Sequence, residues 1–226
     1  MTKKIAVILT GCGFLDGSEI HESVLTLHSI RKHGFSYQCF APNRNQHHTI
    51  NHLTKQPNNQ TRNILEESAR IARCEVLPLE ELKTEDFLAV ILPGGFGVAK
   101  NLFTFAFDGE KATVYNDISN ILNDFFNKKK LICGICIAPA LIAKIFENSN
   151  ITVTTGNEEN CKNTISPFGV NYEVKNSTEI CIDSQNNIVT TPAYMNDEPI
   201  ENIATGINNL VQYIANSETT LNSQAS

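Results

Sequence analysis

The chain has 226 residues, 41% of them hydrophobic and 19% charged, with a net charge of −6. That balance suits one globular α/β domain with a sizeable core. The acidic charge excludes a nucleic-acid footprint, and no stretch approaches the ~18 apolar residues of a membrane span.

Lys4 to Thr10, apolar from Ile5 to Leu9, reads as a central parallel strand buried on both faces. It resembles a signal peptide only superficially, because the run is short and leads into Gly11-Cys12-Gly13 in place of a cleavage site. Ile20, Val24, Leu27 and Ile30 fall at helical spacing between Glu19 and His33, with Gly34 as the stop and Asp16, Gly17 or Ser18 as candidate caps. Phe35–Phe40 predicts the second strand. The polar stretch from Asn43 to Asn63 carries His47, His48 and His52. No Cys or carboxylate within that cluster completes a ligand set, so it reads as a solvated loop and no metal is expected.

A short amphipathic helix follows over Asn63–Arg73, then a minor strand over Val76–Leu79. A third main strand, Asp86–Leu92, runs into Pro93-Gly94-Gly95-Phe96-Gly97. This glycine spacing matches neither common phosphate-binding loop, but it would let backbone N–H groups approach a reacting centre. Helices are predicted over Val98–Phe107 and Val114–Phe126, the latter ending in Lys128-Lys129-Lys130 as partners of the helix dipole.

Leu131-Ile132-Cys133-Gly134-Ile135-Cys136-Ile137-Ala138 then changes from a strand pattern to a helical one at Cys136. Small residues two positions either side of a nucleophile define the nucleophile elbow, and Gly134 and Ala138 fill those places. The helix N-terminus there favours a thiolate. A structural buried cysteine fits the same pattern. Further on, Ile180–Ile182 and Ile188–Thr190 form a hairpin around Ser184-Gln185-Asn186-Asn187, and Pro199–Ile214 is the last helix. One domain is expected over 1–216, with 217–226 as a frayed polar tail. The order of elements predicts a flavodoxin-like, doubly wound, mostly parallel sheet with helices on both faces. In such a sheet the loop after the first strand, the Gly94-Gly95 loop and Cys136 meet at the C-terminal edge.

A cysteine nucleophile needs an acid–base partner, and every histidine lies at or before His52. Glu19 and Glu22 open the first helix at the active edge instead. A carboxyl there could move protons, its pKa raised by burial beside a like charge. Glu19 reads as a solvated or dipole-pairing residue, while Glu22 fits either role. Cys133, Cys39 and Cys181 read as core, and Tyr194 either closes the pocket or packs. Among Cys12, Cys39, Cys74, Cys133, Cys136, Cys161 and Cys181, Cys133 and Cys136 form one C-x-x-C without the second pair a zinc site needs, and this odd, scattered set points to reduced thiols in the cytoplasm.

Asp16-Gly17-Ser18-Glu19-Ile20-His21-Glu22, Pro93-Gly94-Gly95-Phe96-Gly97, Cys136-Ile137-Ala138-Pro139-Ala140 and Thr190-Thr191-Pro192-Ala193-Tyr194-Met195 together resemble the bacterial ElbB family. That family is named for enhanced lycopene biosynthesis and described as isoprenoid biosynthesis glyoxalases. It lies in the class I glutamine-amidotransferase-like superfamily beside the Parkinsonism-associated deglycase. The resemblance implies a cofactor-independent, homodimeric glyoxalase, a lyase of hydro-lyase type that turns glyoxal into glycolate. It assigns the nucleophile to Cys136 and the helix glutamate to Glu22. Backbone N–H groups at Gly94, Gly95 and Ile137 would hold an oxyanion, with Cys12, Glu19 and Tyr194 around the pocket. Many superfamily members carry His immediately after the nucleophile, where Ile137 stands here, and this argues against glutaminase or protease activity or an amidotransferase subunit. A redox- or electrophile-sensing thiol at Cys136, with Cys12 nearby, is the alternative.

Overall fold

The computed structural model describes residues 3–157 and 159–224. β1 (Lys4–Ile8) leads to α1 (Ile20–Lys32), β2 (Ser36–Ala41), a small ribbon of β3 (Ile50–Asn51) and β4 (Gln56–Pro57), α2 (Ile64–Ile71), β5 (Val76–Pro78) and β6 (Ala89–Leu92). Then come α3 (Phe105–Asp108), α4 (Asn116–Asn127), β7 (Leu131–Ile135), α5 (Ala138–Ile145), β8 (Thr152–Val153), α6 (Glu159–Ile165) and β9 (Asn171–Tyr172). The hairpin of β10 (Cys181–Asp183) and β11 (Ile188–Thr191) precedes α7 (Ile200–Gln224).

The central sheet has the order β10-β11-β7-β6-β1-β2-β5. Every neighbouring pair is parallel except β10–β11. Alternation along each strand feeds two cores. Ala6, Ile8, Val90, Leu92 and Ile132 face the layer containing α4 and α5, and Ile5, Val7, Ala89, Ile91 and Cys133 face the layer of α1, α2 and α7. Burial on both faces explains why these strands are apolar without interruption. The architecture is the expected flavodoxin-like, doubly wound α/β fold.

Two expected elements differ. The helix predicted over Val98–Phe107 is split into a π-helical turn at Val98–Leu102 and the short α3, with an extended Phe103 between them that bridges Val114. Tertiary hydrogen bonds override the helical pattern here: the Asn101 side-chain amide donates to the carbonyls of Thr10 and Asp16 at 3.0 Å each, tying the turn to the loop after β1. The last helix continues past Ile214 through the polar stretch to Gln224, where the sequence predicts a frayed tail. Ala225 and Ser226 lie outside the described residues, as does the side chain of Cys161. The lysine triplet does more than face a dipole. Lys130 Nζ donates to the carbonyls of Thr84 and Phe87, and Lys128 pairs with Asp124 one helical turn back.

Candidate active site

Parallel strands bring their C-terminal ends to one edge, and β1, β6, β7 and β11 are consecutive or near neighbours there. β7 ends at Ile135, and Cys136 adopts φ +62° before α5 begins at Ala138. A residue with a β-carbon in this left-handed region is strained, and such strain persists only where the surroundings over-determine it. The Cys136 N–H donates to the Thr191 carbonyl at 2.9 Å, so β11 pins the elbow. Gly134 is needed for the close strand–helix contact, since a β-carbon there would sit 2.8 Å from Ile142 Cδ1 and 3.1 Å from Pro139 N. The sulfur-bearing residue is 8% exposed.

α1 supplies the second group. Glu19 caps the helix, its carboxylate accepting from the Glu22 N–H at 2.7 Å, which is the dipole-pairing role. Glu22, one turn in, is fully buried and turns toward the elbow. Its Oε2 accepts from the Gly94 N–H at 2.9 Å and its Oε1 from the Tyr194 N–H at 3.3 Å. The carboxyl also shares a hydrogen bond with the Cys136 thiol. Burial, reinforced by the charge of Glu19, pushes the Glu22 carboxyl up to about 8. The Cys136 thiol is pushed well above its ordinary value, first by burial and then by the charge of Glu22, while N–H groups of Gly95 and Ile137 hydrogen-bond the sulfur and oppose the shift. The expectation of a thiolate set by the helix N-terminus therefore changes. Two adjacent anions in a dry site repel, so the pair titrates as a unit and keeps at least one proton near neutrality.

The Gly94 loop is shaped by this contact. A β-carbon on Gly94 would lie 2.4 Å from Cys136 Cβ and 2.7 Å from Glu22 Oε2. Its N–H, expected to face an oxyanion, is instead committed to Glu22. Gly95 and Ile137 remain as the donors aimed at the reacting centre. Tyr194 enters by its backbone as well as its ring, with its phenol 2.8 Å from His21 Nδ1. Cys12 packs against the same core face as Cys136, and burial pushes its thiol up. Phe14 and Phe96, linked by a backbone bond of 2.7 Å from the Phe96 N–H to the Phe14 carbonyl, stand exposed beside the Gly95 loop.

His47, His48 and His52 do not join the site. Among the described residues no group of His, Cys, Asp and Glu has the arrangement to hold a metal ion. His47 lies on Phe107 with ring centroids 4.1 Å apart, while His52 Nε2 accepts from the Leu15 N–H at 3.2 Å. Sequence reasoning missed three positioning groups: His21, the Thr191 carbonyl and Asn101. His21 stands beside Glu22 in the same motif, but nothing in one sequence pairs it with a residue 173 positions away.

No family model matches the chain. It is 39% identical to the human "Glutamine amidotransferase-like class 1 domain-containing protein 3, mitochondrial" over 219 residues, covering 93% of this chain and 82% of the relative. A solved structure from Ehrlichia chaffeensis, an isoprenoid biosynthesis protein with an amidotransferase-like domain, is 35% identical, covers 95% of this chain and 99% of that one, and superposes with a TM-score of 0.89. Drosophila melanogaster DJ-1beta, 17% identical with a TM-score of 0.56 over 97% of this chain and 98% of its own, shares the fold alone. The human relative and its rat and zebrafish counterparts, named as ES1 proteins, are all named as mitochondrial, which overturns the cytoplasmic expectation. Unpaired thiols mark a reducing environment and do not distinguish one reducing compartment from another. At this identity and coverage, the chain belongs to the family of ES1 and glutamine amidotransferase-like class 1 domain proteins, the ElbB-type family that its motifs resemble.

Proposed function

We propose that the protein is a cofactor-independent glyoxalase that converts glyoxal, and related 2-oxoaldehydes, to the 2-hydroxy acid. The observation that carries this reading is the buried Cys136–Glu22 pair, with the N–H groups of Gly95 and Ile137 directed at the sulfur. Aldehyde isomerisation needs a thiol, a group that can both give and take a proton, and donors for an alkoxide.

The Cys136 sulfur adds to one aldehyde carbon, and the proton shared with Glu22 moves to the new alkoxide oxygen, giving a hemithioacetal. Gly95 and Ile137 N–H groups steady the charge on that oxygen as it develops. Glu22, now a carboxylate, removes the proton from the thiol-bearing carbon. The enediol so formed takes a proton back at the neighbouring carbon. This leaves a thioester of the 2-hydroxy acid, with no external oxidant or reductant. Water adds to the thioester carbonyl, the C–S bond breaks, and the sulfur regains its proton as glycolate departs. A carboxyl poised at about 8 suits both directions of transfer near neutral pH.

The sensing alternative is disfavoured by the same observation. Oxidation of cysteine follows thiolate character and exposure, and this thiol is buried and pushed upward. The test is glycolate release from glyoxal by the purified protein beside Cys136→Ala and Glu22→Gln. Cys136→Ala is expected to fall to background, a loss of about 10⁴-fold or more, and Glu22→Gln by about 10²–10⁴-fold. Turnover that survives Glu22→Gln would replace this reading with a merely reactive thiol.

A further inference from the structure

The structure points to a positioning device that the proposed reaction does not itself invoke. The first turn of α1 meets the turn after β11 at two points. His21 Nδ1 lies 2.8 Å from the Tyr194 hydroxyl, their rings 5.8 Å apart, and the next residue, Glu22, accepts from the Tyr194 N–H. A side-chain bond and a main-chain bond thus join the same short segments, His21-Glu22 on one side and Tyr194 on the other.

The turn needs such a hold. Ala193 sits at φ +46° and Asp197 at φ +48°, both in the left-handed region that residues with a β-carbon disfavour. Inside the fold, the Ser177 hydroxyl donates to the Ala193 carbonyl at 3.0 Å and fixes the buried end of the turn. The Ala193–Tyr194 peptide is planar, so this bond also sets the direction of the Tyr194 N–H. The phenol–imidazole bond, made by a half-buried Tyr194 and an exposed His21, ties the start of α1 to that fixed turn. We propose that His21 and Tyr194 form a latch between α1 and the turn after β11, a pair of positioning residues that hold the Glu22 carboxyl, beside Cys136, within reach of the Tyr194 N–H. The inference deepens the proposed function, but its test does not need turnover.

The readout is the titration of Glu22, followed by the carboxyl carbon signal in protein labelled with ¹³C-glutamate and assigned by its absence in Glu22→Gln. The charged and titratable groups around Glu22 and Tyr194 are Glu19 and His21 from α1, Cys136 at the elbow and Glu201 from α7, and Tyr194→Phe leaves every one of them in place. An N–H that donates to a carboxylate favours its ionised form. Loosening the latch by Tyr194→Phe or His21→Ala therefore raises the Glu22 midpoint, by about half a pH unit for one weakened donor. The double variant should shift no further than either single one, because both remove the same bond. His21→Asn, which keeps a hydrogen-bonding group near the Nδ1 position, should restore the wild-type midpoint. Midpoints unchanged in both single variants, or a double shift equal to their sum, would overturn the latch. Absence of glyoxal turnover in the unaltered protein would defeat the enzymatic reading and leave this titration result standing on its own.

Discussion

Two regions of this molecule carry dense sets of reactive side chains, and only one of them is built as a site. The elbow at Cys136 gathers its groups from four separated segments: α1, the Gly94-Gly95 loop, β7 and the turn after β11. All are drawn to one buried point, where the carboxyl and the thiol both have hydrogen-bond partners. The loop with His47, His48 and His52 holds its groups within a few residues of sequence, yet its rings spread over Phe107, Phe14 and Asp16. Density of residue types along the chain is therefore a poor guide to chemistry. Convergence of backbone donors on a desolvated side chain is a better one, because desolvation is what makes those donors strong.

The largest way to break the contrast is through Glu22. Its carboxyl stands at about 8 in the folded protein against an ordinary 4.5. Between those values the native state holds a proton that the unfolded chain has released, so stability falls as pH rises through this window and levels off above it. Fully developed, the effect is about 4–5 kcal/mol. Denaturant unfolding from pH 5 to 9 should show that decline, and Glu22→Gln should flatten it. A wild-type curve that is level across the window would mean Glu22 is solvated.

A smaller effect is expected at Gly94. In Gly94→Ala the new methyl group meets Cys136 and Glu22 well inside van der Waals contact. The elbow must shift, at a stability loss of about 1–3 kcal/mol. Unfolding midpoints check this, and the same variant should lose most of its glyoxal turnover. The smallest effects belong to the other region. His47→Ala and His48→Ala should change stability by no more than about 0.5 kcal/mol, and a chelator should leave glyoxal turnover unchanged. A metal-dependent rise in melting temperature that both variants abolish would promote that loop to a site.

Much of the fold was legible in the sequence because its signals are local. Uninterrupted apolar runs marked strands buried on both faces, and helical spacing with Gly34 at the stop outlined α1. The switch of pattern at Cys136, between Gly134 and Ala138, marked the elbow. These features arise from hydrogen-bond geometry and burial within a few residues, so composition and period report them. The break at Phe103 within Val98–Phe107 went unread for the complementary reason. The apolar spacing there suited a helix, while Asn101 was recruited by carbonyls from a distant loop.

By itself, then, the sequence determined the doubly wound sheet, the strand-to-helix corner that exposes a sulfur to backbone donors, and the acidic helix start at the same edge. Tertiary structure decided which carboxyl does what. Glu19 and Glu22 lie within one helical turn, and their spacing left Glu22 open between a solvated and a buried role, but it is the one swallowed by the packing of α1 against the Gly94 loop and the turn after β11. The ionisation of a carboxyl depends on how much water and how many donors surround it, and both quantities exist only once distant segments have closed over it.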